Sequence, residues 1–172
     1  MGICNGCQML ARLKKIIPGT THWPRFVRNN SRQFEARVCS VKVEASPSIF
    51  FKGMEGSIIP IAVAHGEGRV EFESDSDVSD LVSKDAGVSL TFVDHYGQTA
   101  GPNRYPFNPN GSIMGITGVT STDGRVLAMM PHPERVVRGI SNTWGTQDDR
   151  LNWSEQGPWI QMFRNARKWT GF

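Results

Sequence analysis

Gly2-Ile3-Cys4-Asn5-Gly6-Cys7-Gln8 runs straight into Met9-Leu10-Ala11-Arg12-Leu13-Lys14-Lys15-Ile16-Ile17, and this junction constrains the fold more than any other stretch. Met9, Leu10, Leu13, Ile16 and Ile17 recur at helical spacing until Pro18-Gly19 stops the run. Residues 7–17 therefore predict a helix with a cysteine cluster at its N-terminus. The Gly-x-Cys-x-Gly ahead of it has the spacing of a strand-to-helix turn so tight that glycines flank the nucleophile. A cysteine placed there gains thiolate stabilisation from the helix N-terminus. The unpaired N–H groups of the first turn can help hold an oxyanion. On this reading Cys4 is the nucleophile, and Cys7 lies one turn in and points elsewhere. Two buried thiols at an ordinary turn remain an open alternative. A zinc half-site or redox pair fits less well. Cys39 is the one other thiol, no His pair stands at ligand spacing, and no strand precedes the pair.

A second motif bears on the first. Leu127-Ala128-Met129-Met130 is followed by Pro131-His132-Pro133-Glu134. A proline disfavours the helical region for the residue before it, so His132 is expected to be extended. Residues i and i+2 of an extended segment share a side, so Glu134 can orient the His132 imidazole and favour its protonated form. In isolation, a surface histidine beside an exposed glutamate is the commoner explanation of His-x-Glu. Together with a cysteine elbow, the pair points to Cys–His–Glu catalysis by Cys4, His132 and Glu134. Of the other histidines, His65 follows an apolar run and heads the loop His65-Gly66-Glu67-Gly68, where it either lines a site or is structural. His22 reads as a loop contact and His95 as the cap of a turn.

Elsewhere, alternation at Cys39, Val41, Val43 and Ala45 predicts a half-buried strand, and the nearly continuous apolar run Ile58–Ala64 predicts a buried one. Pro60 weakens the latter because proline lacks a ladder donor. A short surface helix is expected over 75–85, a strand over Val88–Val93 and a loop over 101–112. Strands Ile113–Val119 and Val126–Met130 pair across Thr122-Asp123-Gly124, and a helix spans Trp159–Trp169 with Trp159, Ile160, Phe163 and Ala166 inward. The class is α/β. The 172 residues suit one domain, and 38% hydrophobic and 20% charged residues describe an ordinary globular chain. Net charge is +3 with scattered bases, which argues against a nucleic-acid partner. The densest basic run, Arg12, Lys14 and Lys15, reads as a solvated helix face. No apolar stretch approaches a membrane span or a signal peptide, and three cysteines suit a reducing compartment, so the expected location is cytoplasmic.

The elbow and Met129-Met130-Pro131-His132-Pro133-Glu134-Arg135-Val136 together resemble the class I glutamine amidotransferases. More narrowly they resemble the glutaminase domain of the formylglycinamide ribonucleotide amidotransferases (phosphoribosylformylglycinamidine synthases). Supporting stretches are residues 18–38, 60–72, 105–112 and 157–169, and the likeness runs from Gly2 to Trp169. The Trp-containing tail is similar to that of the long, single-chain form. The resemblance implies a flavodoxin-like three-layer sandwich in which Cys4 attacks glutamine to give a γ-glutamyl thioester and ammonia. His132 would move protons, Glu134 would orient it, and Gln8, His65 and Glu67 would bind glutamine. This domain would need no cofactor and no metal. The partner would be a synthetase domain using ATP and magnesium in de novo purine biosynthesis, since no phosphate-cradling glycine loop stands here. The family carries strands and a glycine-rich oxyanion segment ahead of the elbow. Residues 1–172 therefore read as a partial glutaminase domain that starts at the elbow, with the first part of the domain missing and doubtful activity alone. The alternatives are a catalytically silent docking module and another Cys-triad hydrolase of the same fold.

Overall fold

The fold was obtained as a computed structural model that describes residues 1–83, 87–142, 148, 152–153 and 155–171. The chain opens with β1 (Gly2–Ile3) and α1 (Asn5–Arg12), then β2 (Arg25–Arg28), β3 (Glu35–Val43), β4 (Ile58–His65) and β5 (Glu67–Glu71). It continues through α2 (Asp75–Ser83), β6 (Val88–Phe92), β7 (Ile116–Thr120) and β8 (Leu127–Met129), and closes with α3 (Ile160–Trp169). Among the described residues the strands form a six-stranded sheet in the order β1-β8-β7-β6-β3-β4 and a separate β2-β5 ribbon. The β1–β8 pair is parallel and the other ladders are antiparallel.

Successive strand residues point to opposite faces, and here both faces are buried. Along β8, Leu127 and Met129 enter one core while Ala128 joins the other, followed there by Met130. The first core takes Cys39, Val41 and Val43 of β3, Ile59, Ile61 and Val63 of β4, and Met162 of α3. The second packs Cys7 and Ala11 of α1 with Trp23, Phe26 of β2, Val70 of β5 and Leu81 of α2. Helices or ribbon thus cover each face, giving the three layers that the family resemblance implies.

The sheet also curls. The β4 edge is brought round to the segment after β8, where the His132 N–H donates to the Ala62 carbonyl at 2.8 Å. This edge position explains Pro60, because a strand with one free side tolerates a missing donor. It also explains why β4 alternates between buried and more exposed residues where the sequence suggested a strand buried on both faces. The Pro60 carbonyl accepts a hydrogen bond from Trp159 Nε1 at 2.7 Å.

Three expectations need correction. The first helix stops at Arg12, not at Ile17, because Lys14 turns inward: its Nζ donates to the Trp23 carbonyl at 2.9 Å and pairs with Glu73 at 3.4 Å. Lys14 is therefore buried while Arg12 and Lys15 stay exposed, and Met9, Leu13 and Ile16 face outward. β3 ends at Val43, leaving Ala45 exposed. In α3 the fully buried residue is Met162, with Phe163 and Ala166 packed at the core's margin and Ile160 half-buried. The short surface helix appears as Asp75–Ser83, and residues 84 and 85 lie outside the described ones.

Trp159 is fully buried and meets Phe51 edge to face at 6.3 Å between ring centroids. Trp159→Ala should therefore cost about 3–5 kcal/mol in urea unfolding. Trp159→Phe keeps an aromatic ring but orphans the Pro60 carbonyl, and should cost about 1–3 kcal/mol. Equal losses for the two variants would show that packing contributes little.

Candidate active site

Cys4 follows the C-terminal end of β1 and caps α1 with φ 54° and ψ −113°, a left-handed backbone that a residue with a Cβ rarely adopts. Its N–H donates to the Met129 carbonyl at 3.0 Å, one step beyond the β1–β8 register, so the turn is tied to its neighbouring strand. The Cys4 side chain makes no hydrogen bond capping the helix. It is half-buried, whereas Cys7 and Cys39 are sealed in the two cores. Burial pushes the Cys39 thiol up to about 12 and raises that of Cys7 strongly, so both resist ionisation.

The two flanking glycines differ. A Cβ on Gly2 would lie 2.5 Å from the Gly6 carbonyl oxygen and 2.6 Å from Leu10 Cδ1, whereas one on Gly6 would meet nothing within 4 Å. The turn thus demands glycine before the cysteine, while the space beside the second glycine is open.

His132 stands three residues beyond Met129, so the parallel pairing of β1 and β8 brings the Cys4 turn and the His132 segment to the same end of the sheet. Ligand sites in α/β sheets gather at such carboxyl ends. His132 is extended (φ −106°, ψ 87°), as Pro133 requires, but Pro133–Arg135 then forms a 3-10 turn. That turn, and not a continued strand, carries Glu134 back so that its Oε1 lies 2.6 Å from His132 Nδ1. An Nδ1–H donated to the carboxylate leaves the Nε2 lone pair as the basic position. His132 Nε2 is buried and has no hydrogen-bond partner among the described residues.

Gln8 and Glu67 are brought together. Gln8 Nε2 donates to Glu67 Oε2 at 2.8 Å and to the Phe26 carbonyl at 3.1 Å. The Gln8 N–H donates to the Cys4 carbonyl, which places Gln8 one helical turn below the elbow. Both side chains line a cavity of about 250 Å³ with Arg12, Arg25 and Arg28.

His65 does not join them. It ends β4 and is buried, and only Gly66 separates it from β5, so the expected glycine-rich loop is a kink between two strands. His65 Nε2 lies 2.9 Å from Asn110 Oδ1, while Asn110 Nδ2 donates to the Gly68 carbonyl at 2.9 Å. A Cβ on Gly68 would strike the His65 ring at 2.4 Å, so that glycine admits the imidazole. Asn29 clamps the same kink, donating to the His65 carbonyl and accepting from the Gly68 N–H, both at 2.9 Å. Burial pushes the His65 imidazole below its ordinary range, and the nearby His132 adds to this against the Asn110 hydrogen bond. Sequence reasoning missed Asn29 and Asn110, whose partners lie 36 and 45 residues away. The one available signal was a polar, glycine- and proline-rich loop dense in asparagine. His95 packs edge to face on Phe107 at 4.7 Å. Among the described residues no group of three or more His, Cys, Asp or Glu is placed to hold a metal ion.

Gly2→Ala should destabilise the chain by about 1–3 kcal/mol in urea unfolding through overpacking. Gly6→Ala should be neutral or stabilising by about 0.5–1 kcal/mol, since alanine suits a helix better. Equal effects would contradict the asymmetry of the turn. The lowered His65 value makes a further prediction. The unfolded chain takes up this proton below about pH 6.5 while the folded chain resists it, so stability is full above that pH and declines as pH falls towards the folded value. The stability gap between wild type and His65→Gln should therefore shrink between about pH 7.5 and about pH 5.5. A constant gap would show that His65 is protonated alike in both states.

Residues 1–170 match the family model of the CobB/CobQ-like glutamine amidotransferase domain. A solved structure of PurLQS from Thermotoga maritima superposes with a TM-score of 0.67 at 25% sequence identity, over 99% of this chain and 61% of that one. The chain thus spans about 61% of the length of the PurLQS chain it matches. With its cysteine on a left-handed turn between parallel β1 and α1, this chain belongs to the CobB/CobQ-like glutamine amidotransferase family.

Proposed function

We propose that the chain hydrolyses the side-chain amide of glutamine and supplies the ammonia to a synthetase. The observation that carries this reading is the left-handed backbone of Cys4, tied to Met129 beside the strand that leads to the His132–Glu134 pair. Cys4 Sγ attacks the amide carbon as its proton passes to His132 Nε2. The C–N bond breaks and the departing nitrogen takes that proton, leaving a γ-glutamyl thioester on Cys4. Water, deprotonated by His132, then attacks the thioester to release glutamate and regenerate the thiol. Glu134 orients the imidazole and balances the charge that forms on it. First-turn N–H groups of α1 face the developing oxyanion.

Gln8 and Glu67 are suited to glutamine's polar end, where the carboxylate of Glu67 complements an ammonium group and the nearby arginines complement a carboxylate. In this reading His65 supports the site from behind. The likeness to PurLQS and the motifs of residues 2–8 and 129–136 favour a place in purine biosynthesis. There the ammonia would convert formylglycinamide ribonucleotide to its amidine on a synthetase that uses ATP and magnesium, in the cytoplasm.

A second reading, a catalytically silent docking module, draws on the apolar outer side of residues 9–16, where Met9, Leu13 and Ile16 are exposed. Glutamate release from glutamine separates the two. The hydrolase reading expects turnover that Cys4→Ser abolishes and His132→Gln lowers by about 10²–10⁴-fold. A chain that releases no glutamate, alone or with its synthetase, is the module. Turnover that survives Cys4→Ser would overturn the assignment of the nucleophile.

A further inference from the structure

His132 and His65 lie close enough for the charge of one to act on the other, and they have opposite partners. His132 Nδ1 meets a carboxylate, Glu134, at 2.6 Å. His65 Nε2 meets a neutral amide, Asn110, at 2.9 Å. The amide's direction is set independently, because Asn110 Nδ2 donates to the Gly68 carbonyl and so presents Oδ1 to the ring. His65 then carries a hydrogen on Nε2, and its buried Nδ1 makes no hydrogen bond of sound geometry among the described residues, which favours the form with no hydrogen there. Glu35, cross-strand from His65 in the β3–β4 register, binds Arg37 Nη2 through its Oε2 at 2.6 Å. Arg37 is itself held by the Tyr105 hydroxyl at 2.6 Å and stacks on that ring at 4.9 Å. The groups around the His65 ring are Asn110, the Met130 carbonyl, Glu35 and His132; Glu35 pairs with Arg37 through Oε2, while its buried Oε1 has no hydrogen-bond partner among the described residues.

We propose that Asn110 and His65 form a positioning pair for the reaction: Asn110 holds His65 as a neutral Nε2–H ring beside His132, so that the proton leaving Cys4 goes to His132 without meeting a second cation. The inference rests on the Cys4–His132 reading above. Neighbouring titratable groups whose surroundings drive them apart divide the acid–base labour of a site. Here a carboxylate partner orients one imidazole through Nδ1 and an amide partner orients the other through Nε2. The burial of His65 and its proximity to His132 both favour its neutral form. Gly68 is part of the device, since any side chain there would displace the ring from Asn110.

The test is ¹⁵N NMR of the histidine rings in the full chain, together with the pH profile of Cys4 alkylation by iodoacetamide. In wild type His65 should be a neutral Nε2–H tautomer at neutral pH. Asn110→Asp gives the ring an anionic partner and should raise its midpoint by about one to three pH units. The alkylation profile should then gain an acid limb at that same midpoint, with Cys4 several-fold slower below it. A merely structural Asn110 would change stability without adding that limb. A wild-type His65 that is protonated or Nδ1–H at neutral pH overturns the proposal, whether or not Asn110→Asp folds. So does an Asn110→Asp profile that lacks the new limb while NMR shows His65 titrating. His132→Gln separates this from failure of the underlying reading. If it leaves the wild-type profile of Cys4 unchanged, the Cys4–His132 assignment itself falls.

Discussion

The hydrogen bond from the Cys4 N–H to the Met129 carbonyl is the constraint on which the site depends. It extends the short parallel pairing of β1 with β8 by one residue and places Cys4 where the chain must reverse from strand to helix. Gly2 makes that reversal possible by letting the Gly6 carbonyl and Leu10 close over it. The same pairing determines which segment lies alongside, namely the one that leaves β8 through Met130 and Pro131 to His132. The chemistry thus follows from a strand pair only two residues long.

A second bond secures the other half of the site. The His132 N–H reaches the Ala62 carbonyl on β4, so the far edge of the sheet folds round to hold the histidine's backbone. β4 then ends in His65, which brings a second imidazole beside the first. The asparagines around the β4–β5 kink fix that ring by bonds to backbone and side chain that leave few polar groups to choose an alternative. In such a buried network each satisfied partner determines the orientation of the next. Sheet curvature and site geometry are therefore linked, since the edge strand that closes the fold onto the His132 backbone also ends in His65.

Local signals in the sequence carried much of this. Alternation exposed β3, the glycine–cysteine spacing exposed the elbow, and the prolines around His132 foretold its extended backbone. Other features were decided by distant partners. Residues 13–17 keep a helical pattern, yet Lys14 is drawn into the interior by the Trp23 carbonyl and Glu73, and the helix stops short. Met9, Leu13 and Ile16 consequently face outward despite their periodicity. Gln8 and Glu67 bond to each other, but His65, two residues from Glu67, faces Asn110 instead. A one-dimensional reading places a histidine in a loop. Only the register of β4 and the space left by Gly68 decide which way its ring points.

The central claim is that Cys4 bears the covalent intermediate, and the most direct measurement is peptide mapping by mass spectrometry after acid quench of the chain turning over glutamine. The account predicts a γ-glutamyl thioester on the peptide containing Cys4, accumulating when water attack is slowed, with Cys7 and Cys39 unmodified. A γ-glutamyl group on either buried cysteine, or glutamate release with no adduct at Cys4 under any quench condition, would contradict it.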